Sequence, residues 1–226
     1  MPSPFYLGAY WGSRVESAEA CAGRFARFLR RLAEVESLPS TWWKVGRDEA
    51  ESRRERIEPS QQNLRRLLEA SYDPERPRLG FSVHVWDRTH DSVRFNVICG
   101  SPAVVSPNVV VFELPRPTEE NSSLYQAETM KLVFSAVVEE WDPEWAIFAT
   151  REMREMQVKL PRRPIAGWLT YLRTDPSAVS PLGSDIEISG LGEGTLLVAG
   201  PEPLLVTEKH IREVANLVSQ VNVEAR

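Results

Sequence analysis

The sequence is poor in the residues that build reactive centres. Only two cysteines occur in 226 residues, Cys21 and Cys99, and no CxxC pair is present. A zinc or redox site therefore lacks its usual ligands. Cys21 lies in a helical pattern and Cys99 ends a strand pattern, so each reads as a small buried apolar residue. Histidine is nearly as scarce, with His84, His90 and His210 only. No HExxH or other two-histidine helix spacing occurs. Gly190-Leu191-Gly192-Glu193-Gly194 lacks the Lys-Ser/Thr pair and helix start of a phosphate loop, and it reads as a hairpin turn. Gly8, Gly12 and Ser13 do not form a GxSxG elbow.

Long apolar runs are missing too. No stretch approaches the roughly 20 apolar residues of a membrane span. No basic region followed by an apolar run opens the chain, so no signal peptide is visible and a cytoplasmic protein is expected. Net positive charge is lacking: 27 Lys and Arg face 32 Asp and Glu, for a formal net charge of −5 and a pI of about 5.4. That balance argues against a general nucleic-acid binder and leaves open only a local basic patch.

What is present is ordinary globular composition, 42% hydrophobic and 26% charged. A chain of this length buries a substantial core without staples. Residues 5–11, FYLGAYW, read as an opening strand. Ser13 with Glu16 has capping-box spacing, so a helix begins at Ser13 or Ser17. Ala18, Cys21, Phe25, Phe28, Leu29, Leu32 and Val35 form its apolar stripe. Trp42 and Trp43 anchor a connecting segment. The highly charged residues 47–59 predict an exposed helix or a loop. A short amphipathic helix follows over 61–72.

The middle of the chain reads as sheet. Residues 81–86 and 93–99 alternate around a loop and predict a hairpin. NVVVFEL at 108–114 is apolar on both faces, as a central strand is. Residues 124–141 are helical by spacing. Pro143 lacks an N–H and disfavours the helical conformation at the residue before it, so the helix stops near Trp141. Strands are expected at 145–149, 165–172, 185–189 and 195–199. A helix capped by Thr207 closes the chain. Strand clusters with intervening helices, without strict βαβ alternation, predict a single α+β domain over 1–226. Its sheet is mostly antiparallel and flanked by helices.

Charge gathers in one region. Between Glu113 and Glu155 there are ten acids and four bases, 4 − 10 = −6, more negative than the whole chain. Glu139, Glu140, Asp142 and Glu144 crowd the corner between Trp141 and Trp145. This corner is either a solvated loop or a surface that attracts a basic partner.

Four segments carry a resemblance. They are YLGAYWGSR at 6–14 with Glu16-Ser17-Ala18-Glu19 and the following helix; Gly80-Phe81-Ser82; Glu140-Trp141-Asp142-Pro143-Glu144-Trp145; and Gly167-Trp168-Leu169-Thr170-Tyr171-Leu172. In this order, from about residue 5 to about residue 220, the chain resembles the immunity protein 52 family. The resemblance implies an α+β immunity protein of a bacterial polymorphic-toxin system, not an enzyme, that binds and neutralises a cognate toxin. The toxin it implies is a nuclease with a restriction-endonuclease-like fold delivered by type VI secretion. No cofactor, metal, membrane or direct nucleic-acid partner is implied. The expected toxin-contacting residues are Glu139, Glu140, Asp142 and Glu144, chosen on charge. Trp11, Gly12, Trp141, Trp145, Gly167 and Trp168 are expected to hold the fold. Two other readings stand beside this one: an adaptor that holds an effector without inhibiting it, and an enzyme assembled from scattered residues such as His84, Glu140 and Asp142.

Overall fold

A computed structural model describes residues 3–46, 55–89, 92–104, 108–157, 163–179 and 186–221. Most of the charged segment at 47–59, His90, residues 158–162 and residues 180–185 lie outside these. The fold is α+β. Among the described residues are ten strands and five α-helices, and every strand register given below is antiparallel. The chain groups into two compact units, Tyr10–Pro115 and Met1–Ala9 with Arg116–Arg226. The division falls within the first strand, β1 (Phe5–Trp11).

In the unit Tyr10–Pro115, the strand order is β3-β2-β4-β5-β6. These are β2 (Trp42–Lys44), β3 (Arg56–Ile57), β4 (Phe81–Trp86), β5 (Arg94–Cys99) and β6 (Asn108–Glu113). The hairpin β4–β5 forms as its alternation predicts, with Val83 opposite Val97 and Val85 opposite Phe95. The charged segment yields a strand where a helix or loop was expected: Trp42 pairs Ile57 and Trp43 pairs Arg56.

Helix α1 (Ala18–Ala33) starts after Ser17, not Ser13, because the Ser17 hydroxyl accepts the Ala20 amide at 3.2 Å. The Ser13 hydroxyl instead donates to the Pro102 carbonyl at 2.9 Å. The apolar stripe of α1 is buried, and Phe28 meets Phe95 edge-on at 5.6 Å. Phe95 also stacks on Phe112 at 5.2 Å and takes the edge of Trp42 at 5.0 Å. Each such buried ring contributes about 1.5–3 kcal/mol of transfer energy.

Helix α2 (Gln61–Ser71), capped by Ser60, packs on α1 through Leu64, Leu67 and Leu68. Buried Asn108 keeps its amide satisfied, accepting from the Ser101 amide at 2.8 Å and donating to the Gly12 carbonyl at 2.6 Å. Cys21 and Cys99 are both fully buried thiols. A hydrogen bond with Cys21, and then burial, hold the Cys99 thiol well above its usual range.

The other unit has the order β1-β7-β8-β10-β9. It comprises β7 (Trp145–Thr150), β8 (Leu169–Leu172), β9 (Ile186–Leu191) and β10 (Gly194–Ala199), with α3 (Ala127–Trp141), α4 (Arg151–Glu155) and α5 (Glu208–Gln220). Strand β8 is shorter than the 165–172 expected, because the Ala166 and Gly167 amides do not join a strand ladder. They donate instead to Gln157 Oε1 at 2.7 Å and to the Thr170 hydroxyl at 2.9 Å. A Cβ on Gly167 would sit 2.4 Å from the Phe148 carbonyl oxygen. Trp168 nevertheless extends the pairing, donating its amide to Phe148 and accepting from Ala199, both at 2.8 Å. Its indole N–H donates to the Gly200 carbonyl at 3.0 Å. Phe148 stacks on Phe5 at 5.0 Å and meets Trp168 edge-on at 5.7 Å. Thr207 caps α5 as expected, and His210 completes the capping box, its Nδ1 accepting the Thr207 amide at 3.2 Å. Among the described residues, no helix is long and apolar enough to cross a membrane.

Candidate functional site

The acidic corner is built from the end of α3, the turn Asp142-Pro143-Glu144 and the start of β7. Helix α3 ends at Trp141, as Pro143 requires. Asp142 takes the left-handed conformation (φ 47°, ψ 61°), and its amide donates to the Val138 carbonyl at 2.9 Å. Aspartate is among the few non-glycine residues that visit this region readily. Trp141 is fully buried, and Trp145 is half-buried at the start of β7. Trp11 and Trp168 are also buried, so these indoles serve the fold.

The four acids differ in position. Glu139 is exposed, Asp142 and Glu144 are half-buried, and Glu140 is only 5% exposed. Arg173, just past β8, ties the turn down twice. Its guanidinium reaches the Asp142 carboxylate at 3.2 Å, and its amide donates to the Glu144 carbonyl at 2.9 Å. The last turn of α3 carries no basic residue. Its C-terminal carbonyls therefore add partial negative charge to Glu139 and the neighbouring acids.

The β9–β10 hairpin stands beside this corner. Its two-residue turn is Gly192-Glu193, and Gly192 has φ 54°. A positive φ at the first central residue alone is the signature of a type II′ turn. The Val138 side chain lies 4.0 Å from where a Gly192 Cβ would be. Beneath the turn, Tyr171 is fully buried and its hydroxyl is pushed up to about 12. Burial is the main cause; Asp142 and Glu193 add to it and Arg173 opposes. That hydroxyl thus senses Asp142, Arg173 and Glu193 together. Arg173 and Glu193 are members of the corner that charge counting missed. Glu193 was legible at the tip of the glycine-rich turn, whereas Arg173 is 31 positions from Asp142 and carried no signal.

The residues of the enzyme reading do not share a unit. His84 is exposed on β4, in the unit Tyr10–Pro115, while Glu140 and Asp142 lie in the other. A depression of about 540 Å³ in the unit Tyr10–Pro115 is lined mainly by apolar groups, including Val15, Tyr72, Pro77 and Phe81, and by none of those three residues. Among the described residues, no group of three or more His, Cys, Asp or Glu could hold a metal ion.

The fold is shared with the Pseudomonas aeruginosa T6SS protein PA0821. The two superpose with a TM-score of 0.60 at 15% sequence identity, over 98% of this chain and 77% of that one. No curated protein matches the sequence. The family described as immunity protein 52 matches residues 3–225, nearly the entire chain, and the fold is the α+β arrangement that the four motifs implied. The chain belongs to the immunity protein 52 family.

Proposed function

We propose that this immunity protein acts in the cytoplasm by binding a cognate nuclease toxin of restriction-endonuclease-like fold, delivered by type VI secretion, and blocking its activity. The observation that carries the reading is family membership over residues 3–225. The acidic corner supports the nuclease part of it. A nuclease must admit phosphate, so its active-site surface is electropositive, and a negative surface can be steered onto it. The contact surface proposed is the corner of Glu139, Glu140, Asp142 and Glu144. Glu139 is its exposed member, Glu144 is half-buried, and Asp142 is held by Arg173.

Reversing all four acids would confound binding with folding, because Glu140 is buried. The variant Glu139→Lys/Glu144→Lys avoids that. With the toxin domain encoded beside the gene, it should associate about tenfold more slowly at low salt and less so at high salt, as steering charges do. Stopped-flow association across a salt series reads this directly. Association rates equal to those of the unaltered protein at every salt concentration would remove the corner from the interface.

A further inference from the structure

Among the described residues, no strand pairs with the outer side of the hairpin beside the corner, and the short turn Pro176–Ala178 touches β9. Strand β9 ends the strand order of its unit, and it pairs with β10 over six residues without a bulge. The two-residue turn sets the hydrogen-bonding phase. Residues flanking such a turn form a bonded pair, and bonded and non-bonded pairs alternate along the ladder. Leu191, Ser189 and Glu187 therefore aim their N–H and C=O groups at β10. Ile186, Ile188 and Gly190 aim theirs outward, where no further strand pairs among the described residues.

Edge strands are normally blunted by proline, lysine or a bulge. The β9 sequence IEISGL has none of these. Its one charge, Glu187, reaches Lys131 at 3.9 Å. Gly190 is exposed, and a Cβ there would meet nothing within 4 Å. It is not among the glycines of positive φ. Among the described residues, neither packing nor backbone conformation calls for glycine at this position. A glycine inside a strand can mark the close approach of another backbone.

The charges nearby select the occupant. Glu187 lies on the strand, paired with Lys131, and Glu193 lies at its tip. The cations Lys131 and Arg173 are already engaged with Glu187 and Asp142. A second copy of this chain would bring an equally negative edge against the first. We propose that β9 accepts an extended, basic segment of the cognate toxin as an added strand. Main-chain bonds from Ile186, Ile188 and Gly190 would supply affinity, and the flanking acids would supply selectivity. The inference rests on the toxin-binding reading and names how that partner docks.

The test uses the full chain and the toxin domain encoded beside its gene. Residue-resolved amide exchange is followed for the free protein and for the complex. The amides of Ile186, Ile188 and Gly190 should exchange quickly in the free protein and become protected in the complex. Gly190→Pro removes one outward N–H without touching the β10 ladder. It should weaken the complex by about tenfold, as expected for a lost main-chain bond and its neighbours. Exchange in the unaltered protein decides the matter even if that variant folds poorly. A complex in which those amides still exchange quickly would overturn the strand addition and leave toxin binding intact. Protection already present in the free protein, from a second copy or from this chain, would also overturn it. Failure to form any complex would instead contradict the toxin-binding reading itself, and this inference with it.

Discussion

Asp142 shows how one residue serves both fold and surface. Its left-handed conformation reverses the chain after α3, at a cost of about 1 kcal/mol for a non-glycine residue. The Arg173 pair, at a half-exposed site, returns no more than about that amount. Below it, Tyr171 supplies a titration that tests the geometry of the corner. Its folded value is raised to about 12, whereas an unfolded tyrosine ionises near 10. The folded state therefore keeps a proton that the unfolded state releases. The associated stability is complete below about pH 10 and is lost as pH rises through about 12. Urea midpoints should fall across that window, and Tyr171→Phe should shrink the fall. Tyr6 and Tyr125 are raised as well, by burial first, so the fall should not vanish. An identical alkaline fall in Tyr171→Phe would contradict the placement of that hydroxyl.

At the scale of elements, β7 and β8 meet so closely at Gly167 that no side chain fits. A Cβ would lie 2.4 Å from one backbone oxygen and 3.1 Å from the Ala149 side chain, and backbone cannot step aside as a flexible side chain can. Gly167→Ala should cost about 2 kcal/mol or more, read as a lower urea midpoint with an unchanged slope. A loss under about 0.5 kcal/mol, the range of ordinary surface substitutions, would show that the strands do not approach this closely.

Features written in local chemistry were legible beforehand: the stop of α3 before Pro143, the Thr207 cap, the β4–β5 alternation and the glycine-rich turn. Features that depend on distant partners were not. The short strand Arg56–Ile57 sits in a run of charge, and only its pairing with Trp42 and Trp43 makes it a strand. Glu140 was counted with the surface acids. Helix α3 is buried around most of its circumference, from Thr129 and Val133 to Ala136 and Val138, so a residue flanking the apolar stripe is carried inside. The corner's charge was visible as a count of acids. Its arrangement depends on Arg173 and on the hairpin, which folding brings alongside.

At the scale of the molecule, a net charge of −5 with a still more negative stretch from Glu113 to Glu155 favours a basic partner and electrostatic steering. The same family match extends across both compact units, so the whole chain is the relevant object for any binding assay. The most direct test mixes this chain with the toxin domain encoded beside its gene and follows DNA cleavage as the protein is titrated in. The account predicts a co-eluting complex and a loss of cleavage in proportion to added protein, complete at equimolar ratio. A complex that still cuts DNA at full rate would make the protein an adaptor, and undiminished cleavage with no complex would contradict inhibition of that toxin altogether.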